Sequence, residues 1–438
     1  MSHAARVEVL RRRLRAGGLG LGKETSNLFR DRGEDEAGEL DVRDFDHVLA
    51  IDVGARTLDV EAMTPYDALV AQSLPAGLMP AVVPQLRSIT IGGAAAGVGV
   101  ESTSFRHGLV HESLTEIEVM LADGSVVVCA PGNEHEDLFF GFPNSYGTLG
   151  YALRITTRAL PTRPYVALEH IRFDDPEACF DALDQICDGD ADFVDGVVFA
   201  ADEMYVCTGR FVDHAPFTSD YTFERIFYRS IRERETDWLT ASDYLWRWDT
   251  DWFWCSSNLF AQNPIVRRLL GRKRLNSRFY QKAMRWNSRW HVVETLERLR
   301  GLHRESVIQD VDVPIDRAAA FLGFLLREVG VMPIWICPVT PQRAGAPFTL
   351  FPMPQRRYVN FGFWGVVRTR QPRSRGAINR RIEHEVQAAG GIKSLYSSSY
   401  FTQDEFWAMF ARDAYRALKS RYDPTGRLPG LYEKCVRE

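Results

Sequence analysis

Three stretches of this chain are rich enough in glycine and small residues for the backbone to lie against a flat or phosphorylated ligand. The first, GGLGLGKETSN at Gly17–Asn27, adds a charge at Lys23 and side-chain donors at Thr25, Ser26 and Asn27. It is neither GxGxxG nor GxxxxGK(S/T), so it is no dinucleotide fingerprint or P-loop. A flexible glycine loop fits the same residues. The second runs from Pro84 to Gly108. A strand-like Ser88–Ile91, including Thr90, leads into Gly92-Gly93, with Gly97, Gly99, Ser102, Ser104, His107 and Gly108 after it. Backbone free of side chains permits close approach to a flat ligand; a tightly packed strand and turn is the alternative. The third, Phe142–Gly150, contains Gly147 and Gly150 and precedes a strand predicted over Tyr151–Arg158, which includes Ile155. Ser145 is not in GxSxG, which argues against a hydrolase elbow.

Proton chemistry needs acids or phenols near such a ligand. Lys393, Tyr396 and Tyr400 stand in KSLYSSSY and are candidate proton donors, unless the segment is a plain alternating strand. Asp243, Asp249 and Asp251 are interleaved with Tyr244, Trp246, Trp248, Trp252 and Trp254. Carboxylates among aromatics have raised pKa values, and Asp249 is a candidate general acid; alternately solvated faces are the other reading. His107 and His111 are four apart, but Gly108 and the missing third ligand argue against zinc, and no metal is expected.

These groups need elements to hold them. Val48–Val53, Ile117–Leu121 and Val126–Cys129 read as strands, the last two joined by a hairpin at Ala122-Asp123-Gly124. Thr64–Ser73 reads as a helix capped by Thr64 with Pro65 in its first turn. Residues 225–305 read as largely helical, and Phe406, Met409, Phe410, Tyr415 and Leu418 give the last stretch an amphipathic pattern. The expected division is 1–165, 166–395 and 396–438. With 438 residues, 45% hydrophobic and 25% charged, the chain is not disordered, fibrous or a coiled coil. Seven scattered Cys without CxxC, no secretory signal and no run of 18 apolar residues lead to the expectation of a reduced, cytoplasmic protein.

The formal net charge of -5 excludes a general polyanion binder but hides an asymmetry. Ala261–Arg304 carries a formal +10, leaving -15 elsewhere, and seven of ten Trp lie between Trp238 and Trp290. A basic, Trp-rich segment suits an anionic membrane surface. Aromatics in a core with arginines paired to acids is a second reading, and nucleic-acid binding a third that the overall charge disfavours.

The three glycine segments, in this order and spacing, resemble the FAD-binding domain of the vanillyl-alcohol-oxidase or PCMH-type flavoproteins. Within that superfamily, GGAAAGVGVESTSFRHGL, LADGSVV, EDLFFGFPNSYGTLG, ALRITTRALP and, in the tail, YFTQDEFWAMF and YDPTGRLPGLYEKCV are similar to the Δ24-sterol reductase (Diminuto) branch. The resemblance covers most of 40–165 and 395–438 and is weak between 170 and 390. It implies an α+β fold: a PCMH-type FAD-binding domain, a substrate (cap) domain, and a C-terminal segment packing near the flavin. Lys23, Thr25, Ser26 and Asn27 would form the pyrophosphate turn. Pro84, Ser88–Gly93, Gly97–Ser104, His107 and Gly108 would line the isoalloxazine and pyrophosphate, and Gly147–Gly150 and Ile155 the adenine side. The stretch before Gly17 is short for the usual first βαβ piece. The first loop lacks His and Cys, and His107 is not at the usual tether position, so non-covalent FAD is expected.

KETSNLFR and DYLWRWDTDWFWCSSNLFAQNP are similar to bacterial flavoproteins that complete 10-methyl-branched fatty acids such as tuberculostearate. This likeness implies reduction of the 10-methylene group of a phospholipid-linked acyl chain, with NADPH as a transient reductant. It further implies a partner methyltransferase and a place at the inner face of an anionic membrane, without nucleic acid. The alternatives are a desaturase of methyl-branched chains, a Δ24-sterol or polyprenyl reductase, and a lipid-surface protein that has lost its flavin.

Overall fold

The computed structural model describes residues 1–15, 20–23, 29, 39–290, 303–343, 348–371 and 373–436. The fold is α+β, with two main antiparallel sheets that meet across a shared core. A small parallel pair, β1 (Gly20–Gly22) and β2 (Glu39–Asp41), precedes them. The helix His3–Arg15 buries Leu10 and Leu14 against Leu40, Val42 and Phe45. Its first turn is fixed to the first main sheet: His3 reaches Glu61 at 2.7 Å and Glu118 at 2.8 Å, and Arg6 reaches Glu61 at 2.7 Å.

The first sheet consists of β3 (Val48–Asp52), β4 (Thr57–Glu61), β5 (Leu78–Pro80), β6 (Leu114–Met120), β7 (Val126–Cys129) and β8 (Tyr151–Pro161). Its order is β3-β4-β8-β6-β7, with β5 paired to the far end of β8. The hairpin at Asp123-Gly124 forms as read from sequence, with Gly124 at φ +85°. Two local expectations change. The helix is Tyr66–Ser73, capped by Pro65, and the buried Thr64 hydroxyl makes no cap bond. Ser88–Ile91 is not a strand. Thr90 caps a helix, Ile91–Ala96, accepting from Gly93 N at 3.2 Å; a capping hydroxyl outweighs the β-branched run.

The second sheet has β9 (Tyr165–Phe173), β10 (Phe193–Ala200), β11 (Glu203–Val212), β12 (Thr236–Thr240), β13 (His303–Pro314), β14 (Ile334–Val339), β15 (Tyr358–Thr369) and β16 (Ile392–Lys393), in the order β12-β9-β11-β10-β14-β15-β13-β16. Period-two alternation gives it two faces. One face, with Val194, Val311, Ile336 and Phe361, packs under helices Pro176–Cys187, Ala318–Phe324 and Ala377–Ala388. The other, with Val197, Cys207, Trp335 and Cys337, shares a core with the first sheet and the aromatic segment 244–255.

Of residues 225–305, read from sequence as largely helical, 291–302 lie outside the described residues; the rest holds the helix Ser277–Trp290, shorter ones at Phe227–Ser230, Ala241–Leu245 and Pro264–Leu270, the strand β12 and tight turns. The chain then returns. Helices Gln403–Met409, Arg412–Tyr422 and Leu431–Cys435 bury Phe406, Phe410, Tyr415 and Leu418. They hold the third glycine loop and the helix Glu136–Gly141 before it from outside: Lys419 donates to Thr148 O at 2.8 Å, and Tyr422 Oη to Asp137 at 2.6 Å.

Candidate active site

The helix Ile91–Ala96 brings the second glycine segment to the inner end of the first sheet. Its first-turn N–H groups are already used: Ile91 on Thr64 O, Gly92 on Ala62 O, Gly93 on Thr90 Oγ1 and Ala94 on Thr90 O. The glycines therefore supply close approach rather than spare donors. The two neighbours do different work. A Cβ on Gly92 would lie 2.7 Å from Ala62 O, inside the packing; Gly93 lies exposed. With Ala96 and Gly97 it forms a strip free of bulk, and a Cβ on Gly97 would lie 2.8 Å from Gly93 O and 3.5 Å from Tyr146 Oη.

Tyr146 comes from the third glycine loop, which is bent by left-handed residues: Asn144 at φ 63°, Tyr146 at 50°, Gly147 at 78° and Gly150 at 130°. Val98, a β-branched residue, is also left-handed at 52°. Such conformations cost energy and persist where the surroundings enforce them, commonly at functional sites. Here they turn Tyr146 toward Gly97 O, at 3.5 Å.

The second sheet offers the chemistry. On β13, Val307, Gln309 and Val311 face the helices: Gln309 donates to Asn379 at 2.7 Å, and the two valines lie in the core beneath them. Alternation therefore sends Asp310 and Asp312 to the other face, where Gly362 and Asn360 stand directly opposite on β15. Gly362 leaves the room Asp310 uses; a Cβ there would lie 2.6 Å from Asp310 Oδ1. Tyr396 lies against Asp310 and accepts from Trp364 Nε1 at 3.0 Å. Asp310 Oδ1 is buried without a partner. Burial, reinforced by Asp312, drives the Asp310 carboxyl far above its usual range, against the opposing effect of the nearby Tyr396 hydroxyl. Burial pushes Asp312 up to about 7, against one bond from Asn360 at 3.2 Å. Tyr396 is likewise pushed far up, by burial and then by Asp310.

An aromatic wall surrounds this pair. Phe29 packs its edge on Tyr396 at 5.8 Å and stacks on Trp252 at 5.5 Å. Phe253 and Trp254 lie 4.3 and 5.5 Å from Trp364. Trp252 and Phe253 are again left-handed. A neutral carboxylic acid, oriented by a tyrosine within an aromatic wall, can protonate an apolar group that has no polar handle. The side-chain-free strip and the partnerless Ser145 Oγ, Ser397 Oγ and Asp310 Oδ1 fit a flavin as the neighbouring group.

Of the candidate acids, only Tyr396 stands in this cluster. Lys393 pairs with Val311 and so points to the helix face, where it donates to Glu383 at 2.6 Å and Ser398 O at 2.7 Å. Tyr400 turns to Arg375 and the glycine preceding the helix Ala377–Ala388. Asp249 accepts from Arg87 N at 3.0 Å and Ser277 Oγ at 2.5 Å, clamping the aromatic segment to the loop after Pro84. Asp243 answers Thr240, and Asp251 binds Arg267 at 2.6 and 2.9 Å. These are structural ties, made because buried carboxylates and ammonium groups require partners.

The flavin candidates also divide. Thr25, Ser26 and Asn27 lie outside the described residues, and Lys23 ends the segment just after β1. Pro84 packs near Gly99. Ser88 is fully buried. Ser102 donates to Glu101 at 2.7 Å and lies 3.0 Å from Tyr244 Oη, while Ser104 accepts from Glu101 N at 3.0 Å. Glu101 and Asp195 hold the buried Arg247 at 3.1 and 2.7 Å, so these serines belong to an ion-pair network joining the two sheets. His107, depressed to about 4 by burial and the Arg158 and Arg106 charges, closes the helix Ser104–His107 before Gly108. His111 packs on Phe348 at 4.3 Å. Ile155 is fully buried between β4 and β6.

Sequence reasoning missed Asp310, Tyr146, Trp364 and Gly362. A signal existed: Gln309-Asp-Val-Asp312 sets two acids alternately into an apolar strand, which a sheet covered on both faces does not tolerate without purpose. The Trp-rich segment is also corrected. Trp246, Trp248, Trp252 and Trp254 are at most 5% exposed and form core, not surface.

Residues 13–130 match a family described as FAD binding domain. The Delta(24)-sterol reductase of Homo sapiens is 28% identical over 406 residues, covering 89% of this chain and 76% of that protein. That of Pisum sativum is 24% identical over 452 residues, covering 91% and 76%. The decaprenylphosphoryl-beta-D-ribose oxidase of Mycolicibacterium smegmatis is 29% identical over 161 residues, 36% of this chain and 34% of that one.

Proposed function

We propose that this chain, an FAD-linked oxidoreductase of the PCMH superfamily and Δ24-sterol-reductase-like, reduces an isolated C=C bond in a lipid. The substrate we assign is the 10-methylene group of a phospholipid-linked fatty acyl chain, which becomes 10-methyl, with NADPH as electron donor. The observation that carries the reading is the buried Asp310, set opposite Gly362 beside Tyr396 and an aromatic wall of Phe29, Trp252, Phe253 and Trp364. An unactivated alkene offers nothing to polarise, so its reduction needs a proton donor that stays protonated in a dry, apolar place, acting together with the hydride source.

The strip at Gly93 and Gly97 would hold FAD, which would supply the hydride, with NADPH as the source of its electrons. Asp310 gives its proton to the terminal CH2 carbon. Positive charge then develops at the more substituted carbon, which takes the hydride, so the product gains one proton and one hydride. Tyr396 holds the Asp310 carboxyl in line, and Trp364 holds Tyr396. The aromatic wall excludes water that would otherwise trap the developing cation. We expect the flavin to be non-covalent and the protein to meet its substrate at the inner face of a membrane, after a methyltransferase has made the methylene group. No helix among the described residues is long and apolar enough to cross a membrane.

Total lipid analysis of cells lacking the protein tests this reading. Accumulation of methylene-branched acyl chains, with loss of the methyl-branched ones, is expected. An unchanged profile overturns the assigned substrate.

A further inference from the structure

The aromatic segment leaves the core at Ala261, and the turn and helix on either side of that point carry an unusual surface. Among the described residues, Phe260, Ile265 and Leu269 are 76%, 71% and 78% exposed, the largest such cluster of apolar side chains. Ile265 and Leu269 are four apart on the helix Pro264–Leu270 and share one face. Their outward direction is fixed rather than accidental. Arg267, between them, turns inward and is 3% exposed, gripping Asp251 at 2.6 and 2.9 Å. Asn263 caps the helix through Ile265 N at 3.0 Å. Phe260 is held at φ 55° at the end of the preceding turn.

The surroundings are basic. Arg268, Arg272, Lys273, Arg274, Arg278 and Lys282 are all exposed around the ridge, and no Asp or Glu occurs between Asp251 and Glu294. Arg268, Arg272 and Arg278 meet acids that come from other elements: Glu224 at 3.8 Å, Asp220 at 2.8 Å and Asp67 at 2.8 Å.

We propose that the Phe260–Ile265–Leu269 ridge inserts into an anionic lipid bilayer, with Lys273, Arg274 and their basic neighbours on the headgroups. Three apolar side chains flanked by cations match an interfacial element that combines apolar burial with attraction to anionic lipid. A second copy is a poor occupant. Two basic rims would repel across a two-fold axis, and three side chains fall far short of the roughly 800 Å² per partner that a stable dimer buries. The ridge begins only six residues beyond Trp254, which walls the site, so docking there would bring that wall toward the lipid phase. Vesicle binding is read without turnover, so its outcome is independent of which acyl substrate the site takes.

The test is co-sedimentation of flavin-loaded protein with phosphatidylcholine vesicles, with and without phosphatidylglycerol. Binding to the anionic vesicles, weakened by salt, is expected. The Phe260→Ser/Ile265→Ser/Leu269→Ser variant, with unchanged flavin content and circular dichroism, should bind at least about tenfold more weakly. Lys273→Glu/Arg274→Glu should lose the preference for anionic vesicles while keeping the fold. The proposal is overturned if the unaltered protein ignores both vesicle types, or if the triple serine variant binds as well as it does. It is equally overturned if sedimentation velocity shows a dimer that the serine variant dissolves.

Discussion

At the scale of single residues, the chemistry depends on which side of a strand a group occupies. Asp310 and Lys393 sit on neighbouring strands, yet alternation puts Asp310 against Tyr396 and Lys393 against Glu383, on opposite faces of the sheet. Asp310→Asn keeps the shape and removes the proton. It should lower kcat by about 10²- to 10⁴-fold while leaving flavin content and the rate of flavin reduction by NADPH unchanged. Tyr396→Phe removes the tie rather than the acid, and a loss of roughly tenfold is expected, with a shifted pH profile. Stopped-flow measurement of the two half-reactions separates these effects; an Asp310→Asn enzyme with ordinary turnover would show that the proton comes from elsewhere. Tyr396 stood among the candidate donors because KSLYSSSY sets a phenol just before the tail. Asp310 was not, because it lies in the stretch where resemblance is weak and its meaning depends on Gly362 and Trp364 across the sheet.

Among the elements, the two adjacent glycines of the helix Ile91–Ala96 separate folding from cofactor binding. Gly93→Leu should leave a folded protein that purifies without yellow colour, since Gly93 is exposed and its Cβ meets only Thr90 Oγ1 at 3.0 Å. Gly92→Leu should instead lower stability, by about 1–3 kcal/mol for overpacking against Ala62, read by denaturant unfolding. A Gly93→Leu protein that retains flavin would contradict the assigned strip. The docking of the first helix carries a pH signature. Bonds to Glu118 and Glu61 raise His3 to about 9. Its contribution to stability is therefore full below about 6.5 and lost as pH rises through about 9. The melting temperatures of the unaltered protein and of His3→Gln should differ most in the acid range and converge above that upper value. Elements set by local rules were readable, as the Asp123-Gly124 hairpin shows. Ser88–Ile91 was not, since a capping threonine overrode its strand-like pattern.

Across the whole molecule, two sheets trap the site between them, and a buried triad bolts them together. Glu101 comes from the first unit, Asp195 from the second and Arg247 from the aromatic segment. Arg247→Met leaves two carboxylates buried without their cation and should cost about 3–5 kcal/mol in urea unfolding. A change below about 1 kcal/mol would mean that packing, not charge, joins the halves. The sequence-level asymmetry of +10 against -15 was real, but its meaning moved. The tryptophans of the aromatic segment fill the core, Arg247 and Arg267 are spent on internal pairs, and the surface remainder flanks a ridge of Phe, Ile and Leu. The α+β class and the FAD-type domain were legible from motifs. Which aromatics faced inward was not, because Trp suits both a core and an interface. The central claim is proton and hydride addition to an isolated alkene. Its most direct test is to mix anaerobic, NADPH-reduced protein with a phospholipid bearing a 10-methylene acyl chain, measuring flavin absorbance and acyl mass together. Oxidised flavin should return in step with a gain of two hydrogens per acyl chain; flavin that stays reduced, with the alkene intact, would contradict the claim.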